Sequence, residues 1–231
     1  MKIIISASGK APRLLPLTKD TPQSMLRVGE KTILEKQIKV LKKAGLNDIV
    51  VTTGYLSTKL ENFCNKLELK TLFDPFYEIS GIATNLWIAK DEIKDGCIFL
   101  YSDVLFDSEI IEGLLKSEKD ISLAVKKDGK RGEAEKVIES GGIIKKVTKE
   151  NLDGVNGEFV GIAKFSSAGA KKIIKELKDT LDNNYKLSLI GAIDNLIKKG
   201  EVIEAYDIKS AKVTDIDFPE DLEKANKLNL L

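Results

Sequence analysis

Ser6-Ala-Ser-Gly-Lys-Ala-Pro-Arg-Leu-Leu-Pro-Leu-Thr-Lys-Asp-Thr-Pro-Gln-Ser-Met25 is the stretch that organises this chain. It follows an apolar run, Ile3-Ile4-Ile5, that reads as a first β-strand, and it precedes an amphipathic helix expected to begin near Thr32. A small-residue loop leaving a first strand is where α/β proteins seat phosphates, because backbone N–H groups there point outward with no side chain in the way. Arg13, Lys10 and Lys19 lie in or beside the loop, and fixed positive charge next to exposed N–H groups suits a triphosphate.

Outward from the loop, strand and helix patterns alternate. Thr32 and Glu35 have capping-box spacing, Ile33, Leu34, Ile38 and Leu41 form an apolar stripe, and Gly45 reads as the C′ glycine that ends the helix. Strands are expected at 48–52, 69–73 and 97–101. Helices are expected after a second capping-box pair, Thr58 and Glu61, and over 84–93. That alternation implies parallel βαβ units with right-handed crossovers. From about Ser108 the pattern changes: a helix, a strand at 121–125, a polar stretch over 126–135, a hairpin turning at Gly141-Gly142, and a strand over 158–165. Helices at 167–178 and 188–199, a strand at 202–206 and a last helix over 219–228 complete the chain. The reading is α/β, one domain with two lobes, about 1–107 and about 108–231, the second an antiparallel addition to the same sheet.

Composition narrows the chemistry. The 231 residues are 42% hydrophobic and 32% charged, as in an ordinary soluble domain. A net charge of +1 argues against a nucleic-acid partner, and no apolar run is long enough for a membrane span. Cys64 and Cys97 lack metal-ligand spacing and sit in apolar contexts, so reduced, buried thiols and a cytoplasmic location are expected. There is no histidine, which excludes Ser-His-Asp and Cys-His catalysis, His-based zinc sites and His general bases. Phosphoryl and nucleotidyl transfer fit what remains, because they rest on charge stabilisation and positioning.

Several side chains carry two readings each. Asp103 lies just past the strand ending at Tyr101, where ligands of open α/β sheets bind. It is either a metal-binding carboxylate or a turn Asp bonded to local backbone. Asp217, with Pro219 at the second position and Glu220 three residues on, reads as a helix N-cap. Trp87 is either core or a platform for a cation, and Lys149 and Glu158 are either solvated charges or ligand contacts. Asn85 has the donors and the acceptor to read a pyrimidine edge.

The loop resembles the signature of the nucleotidyltransferases that couple an NTP to a phosphorylated small molecule: strand–A-x-G-x-G-[ST]-R-x-x-P-L-T, then T-P-K. The match is at Ala7, Gly9, Arg13, Pro16, Leu17, Thr18, Thr21 and Pro22. Ala11 stands where the family has its second Gly, Pro12 where it has Ser or Thr, and Gln23 where it has Lys. Gly54-Tyr55, Asp103, the Glu158-x-x-Gly161 segment and Val213–Leu222 extend the resemblance along nearly the whole chain. Ser80–Trp87 resembles the small-acceptor branch, which includes phosphocholine, aminoethylphosphonate, inositol-phosphate and phosphoglutamine cytidylyltransferases.

What the resemblance implies is a Rossmann-like three-layer α/β/α fold with a mixed, mainly parallel sheet. It implies transfer of CMP from CTP to a small phosphate or phosphonate acceptor. Ala7, Ser8, Gly9, Lys10, Arg13 and Asn85 would bind the nucleotide. Mg²⁺ would sit on Asp103 and Asp217, with Asp215 as the fallback ligand. Arg13 would clamp the β- and γ-phosphates, Gln23 would stand at the catalytic lysine's place, and Lys149, Glu158 and Trp87 would face the acceptor. The alternatives are a catalytically weakened regulatory relative and a sugar-1-phosphate nucleotidyltransferase. A homodimer is left open.

Overall fold

The computed structural model describes residues 1–127 and 134–227. Its first half runs β1 (Lys2–Ser6), 3-10 turns at Pro12–Leu14 and Gln23–Met25, a small ribbon of β2 (Arg27–Val28) and β3 (Lys31–Thr32), and α1 (Ile33–Lys43). There follow β4 (Ile49–Thr53), α2 (Ser57–Lys66), β5 (Lys70–Phe73), α3 (Ala83–Ile88), β6 (Cys97–Tyr101) and β7 (Val104–Phe106). The second half runs α4 (Ser108–Lys116), β8 (Ile121–Lys127), β9 (Glu135–Ser140), β10 (Ile143–Thr148) and β11 (Gly157–Phe165). It closes with α5 (Ser167–Leu181), α6 (Leu189–Lys198), β12 (Ile203–Asp207), β13 (Val213–Asp215) and α7 (Pro219–Lys227).

Strand alternation explains the three layers. Ile3 and Ile5 of β1 join the core under α1, α2 and α4, while Ile4 joins the core under α3, α5 and α6. Ile98 and Leu100 of β6 divide from Cys97 and Phe99 in the same way. A strand buried on both faces must be apolar throughout, and β1, β4 and β6 are nearly so. Among the described residues the sheet has nine strands, in the order β5-β4-β1-β6-β11-β8-β12-β10-β9. The first four run parallel, β11 is antiparallel to both neighbours, and β12 returns parallel to β8. The β9–β10 hairpin turns at Gly141 and Gly142, both at positive φ, and β9 folds back to pair with β11 as well.

Two helix starts differ in kind. At α1 the capping box forms: Thr32 Oγ1 accepts from Glu35 N at 3.1 Å, and Glu35 Oε2 accepts from Thr32 N at 2.7 Å. Gly45, at φ 81°, ends that helix. At α2 the Thr58–Glu61 pair makes no box. The helix begins two residues earlier, behind Leu56, whose backbone is left-handed, and Glu61 instead accepts from Thr53 Oγ1 at 2.7 Å. The helix expected over 84–93 stops at Ile88, because the chain tightens into turns that bond Trp87 O to Lys90 N and Ala89 O to Glu92 N. The polar stretch expected over 126–135 is shorter at both ends, since Lys126 and Lys127 extend β8 and Glu135 opens β9; 128–133 lie outside the described residues, as does position 228 of the last helix.

Cys64 and Cys97 are both buried and unbridged, and they occupy the two different cores on opposite faces of the sheet. Among the described residues no helix is long and apolar enough to cross a membrane. Thr32→Ala removes one half of the α1 capping box. It is expected to lower unfolding free energy by about 1 kcal/mol in a denaturant titration, with the m-value unchanged.

Candidate active site

The loop leaves β1 at the carboxyl edge of the sheet. Ala7 donates its N–H to Thr52 O at 3.1 Å, so that donor is committed to the sheet and is not offered to a ligand. Ser8 is buried and its carbonyl accepts from Tyr55 N at 2.9 Å. Gly9 faces open space: a Cβ placed there meets nothing within 4 Å. Ala11 sits at φ 45° and ψ 61°, the left-handed region in which glycine is favoured. Its carbonyl accepts from Leu14 N at 3.1 Å and from Thr18 Oγ1 at 3.0 Å, which holds the bend. Pro12 is the first residue of the following 3-10 turn, where a fixed φ is suitable and a missing N–H leaves no bond unmade. Leu14 is fully buried in a satellite core with Leu26, Val28, Ile33, Leu105 and Ile216.

That satellite core brings the carboxylates to the loop. β13 pairs antiparallel with β7, aligning Asp215 with Val104, and Ile216 N donates to Asp103 O at 3.0 Å. Asp103 Oδ1 is buried with no hydrogen-bond partner among the described residues. Gln23 Nε2 donates to Ile216 O at 2.7 Å and lies 3.5 Å from Asp103 Oδ2, the limit of a hydrogen bond. Burial pushes the Asp103 carboxyl up to about 7, and the like charges of Asp217 and Asp215 add to the push.

Asp217 is not the N-cap of the last helix. Pro219 is the first helical residue, so Phe218 holds the cap position, and the carboxylate that reaches back belongs to Asp221, which accepts from Phe218 N at 3.0 Å. Asp217 turns instead to the loop, where its Oδ1 accepts from Arg13 Nη2 at 2.7 Å, and the Arg13 guanidinium lies 5.1 Å from the centre of the Phe218 ring.

Two cavities meet here. One of about 250 Å³ is lined by Ser8, Gly9, Ala11, Arg13, Gln23, Asn85, Ser102, Asp103 and Asp217, with Tyr77 and Ser80 on its far wall. The other, about 800 Å³, includes Lys126, Glu135, Lys149, Phe159, Gly161, Lys186 and Asp215. Arg13, Tyr101, Asp103 and Asp217 line both. Asn85 is buried beside the smaller cavity, and its Oδ1 accepts from the Thr52 hydroxyl.

Ala7 lies outside both linings, and three further expected contacts do not reach these cavities either. Lys10 forms an ion pair with Glu78 at 2.7 Å and lies outside both linings. Trp87 packs on the core with Lys90 Nζ 5.0 Å above its ring. Glu158 is buried within β11, in register with Lys126 and Lys136, while its neighbours Phe159, Val160 and Gly161 line the larger cavity. The β11 register is irregular between Phe159 and Ala163, where three consecutive residues line the cavity and Glu158 does not.

Two carboxylates escaped the sequence reading. Glu135 accepts from the Tyr101 hydroxyl at 3.0 Å and lies 3.8 Å from Lys149 Nζ, and burial raises its carboxyl. It was hidden at the end of the stretch read only as polar. Asp74, fully buried after β5, accepts from Phe76 N at 2.8 Å and Ser80 Oγ at 3.4 Å, and so shapes the segment carrying Tyr77 and Ser80. It stands at a strand's carboxyl end as Asp103 does, and the same rule applied to β5 would have found it.

No group of three or more His, Cys, Asp or Glu side chains is arranged to hold a metal among the described residues. Mg²⁺ keeps several waters and needs only one or two protein carboxylates. A buried carboxylate oxygen lacking a partner, with two more carboxylates acting on it, fits such an ion.

The family model described as Nucleotidyl transferase matches residues 2–133, more than half of the chain. The chain belongs to this family. The Campylobacter jejuni CTP:phosphoglutamine cytidylyltransferase is 30% identical over 96% of this chain and 98% of that protein. The Streptococcus pneumoniae choline-phosphate cytidylyltransferase is 31% identical over 51% of each. The inositol-1-phosphate CTP transferase structure from T. maritima superposes with a TM-score of 0.82 at 23% identity, covering 100% of this chain and 97% of that one, which shows the fold.

Two measurements probe this nucleotidyl transferase site. Ala11→Gly relieves a left-handed alanine and is expected to add about 0.5–1 kcal/mol of stability, read as a higher denaturant midpoint. The second concerns Asp103. Its folded carboxyl titrates near 7 against an ordinary 3.8, so the fold holds the proton more tightly than the unfolded chain. The resulting stability is full below the ordinary value and is lost as pH rises toward 7. In EDTA the parent should therefore lose stability between about pH 4 and pH 7, and Asp103→Asn should lose measurably less across that window.

Proposed function

We propose that this nucleotidyl transferase moves CMP from CTP to a small phosphorylated or phosphonate acceptor and releases pyrophosphate. The observation that carries the reading is the shared wall of Arg13, Asp103 and Asp217 between the two cavities. A reaction joining two phosphates needs its charged groups at the seam between two binding spaces. The C. jejuni and S. pneumoniae relatives, whose names give CTP or cytidylyl transfer with small phosphorylated acceptors, support the choice of nucleotide and acceptor class. The whole chain is read as one catalytic domain, since all nine main strands share one sheet. Two buried, unbridged thiols support a cytoplasmic setting.

The nucleotide phosphates lie over Ser8–Arg13, with the Asn85 amide nitrogen donating to an acceptor atom on the cytosine edge. The acceptor enters the larger cavity, where Lys149 meets its phosphate. An acceptor oxygen attacks the α-phosphorus. The new P–O bond forms as the bond to the β-phosphate bridging oxygen breaks, and the electron pair leaves with pyrophosphate. The second pKa of a phosphate ester is near 6, so the nucleophile is already ionised at neutral pH and needs no base. That agrees with a chain that has no histidine. Asp103 and Asp217 would hold Mg²⁺, which supplies charge neutralisation on the phosphate oxygens. Arg13 and Asp217 are 45% and 29% exposed, so their pair is screened and is released at little cost when a phosphate takes the guanidinium. Gln23 donates a neutral amide where a lysine would oppose charge on the departing group.

The test is pyrophosphate release with each of the four NTPs against a panel of small phosphates and phosphonates. CTP should give turnover that EDTA abolishes and Mg²⁺ restores. Combining Ala11→Gly, Pro12→Ser and Gln23→Lys should raise kcat by about 10²–10³-fold while the CTP Kd changes far less. A parent and triple variant that both bind CTP and release no pyrophosphate with any acceptor would mark a regulatory relative instead.

A further inference from the structure

Helix α1 presents an apolar stripe to the sheet, interrupted by Gln37, which is only 1% exposed. A buried amide is costly unless its donors are used. Both N–H groups of Gln37 Nε2 are used, one on Tyr101 O at 2.9 Å and one on Val104 O at 2.7 Å. Those carbonyls belong to the residues that bracket Ser102 and Asp103 at the end of β6. One nitrogen thus spans the turn that carries Asp103. The Gln37 Oε1 atom is buried without a partner among the described residues, a further cost that a methionine or leucine on this stripe would avoid. Packing alone gives no reason for a glutamine here. Spanning the turn does.

We infer that Gln37 is a positioning residue of the transfer reaction: its amide clamps the Tyr101–Val104 turn and thereby sets where the Asp103 carboxylate stands. The inference rests on the proposed reaction for its kinetic consequences, but the clamp itself is a geometric statement about Asp103. Helix α1 is the ruler. Its face is set by Leu34, Ile38 and Leu41 packed in the core, so the amide arrives at a fixed distance from the sheet edge.

The experiment compares Gln37→Met, of similar length without donors, with Thr32→Ala, which destabilises the same helix and leaves the clamp in place. Gln37→Met is expected to lose kcat on the order of 10- to 100-fold with KM for CTP nearly unchanged, because a displacement of about 1 Å at a reacting centre has that effect. Thr32→Ala should keep kcat. The second measurement uses the wild-type protein, so it does not depend on a variant folding. The chain has two glutamines, Gln23 and Gln37, so labelling with [¹⁵N]glutamine gives two side-chain amide signals. Adding Mg²⁺ and then CTP should shift both. The inference is overturned if Gln37→Met keeps the parent kcat, if Thr32→Ala loses as much, or if the Gln23 signal moves on Mg²⁺ addition while the Gln37 signal stays. A parent with no turnover on any substrate would sink the transferase reading alone, and the amide shifts would still decide the clamp.

Discussion

Everything in this site depends on β1 lying parallel between β4 and β6. Parallel neighbours send their carboxyl ends to one edge of the sheet, so the loop after β1, the segment after β5 and the turn after β6 all emerge together. The strands tolerate this because each is buried on both faces and carries almost nothing but apolar side chains. Polar chemistry is therefore pushed to the ends of strands, where the chain leaves the core. The carboxylates at 74 and 103 stand at two such exits.

A second constraint joins the far end of the chain to the near end. Leu14 and Ile216 share a small core away from the two main ones, and their neighbours in sequence, Arg13 and Asp217, line both cavities. Burial of these two aliphatic side chains places Arg13 and Asp217 within 2.7 Å of each other across 204 positions of sequence. Electrostatics alone would not assemble the group, since Asp103, Asp215 and Asp217 repel one another. Apolar packing holds these like charges together. That is the condition in which a cation is bound well.

Much of the layout was legible before any coordinates. The apolar run ending at Tyr101 is β6 residue for residue, the Gly141-Gly142 turn is a hairpin, and the Thr32 capping box forms as spaced. These features depend on local patterns. The expectations that failed depended on what lay across the fold. Thr58 and Glu61 had the right spacing, but the carboxylate found Thr53 on a neighbouring strand. Asp217 had the right composition for a cap, but Arg13 outbid the local backbone. Glu158 lay in the right segment but is buried, while the three residues after it line the cavity beside an irregularity in β11 that no local pattern marks. Glu135 was missed because it opens β9, the first arm of the expected hairpin, at the end of a run that read only as polar.

The left-handed backbone at Ala11 has a consequence for how such loops change over time. The bend does not depend on residue 11 being glycine: Thr18 and Leu14 grip its carbonyl from the far side, and proline sets the next torsion. The shape of the loop is thus stored outside the letters that usually advertise it. A chain built this way can drift at its signature positions while its cavity-lining surface keeps its form. A glycine pattern is then a poor measure of whether the underlying cradle survives, and the better indicators are a hydroxyl seven residues downstream and a buried leucine three residues on.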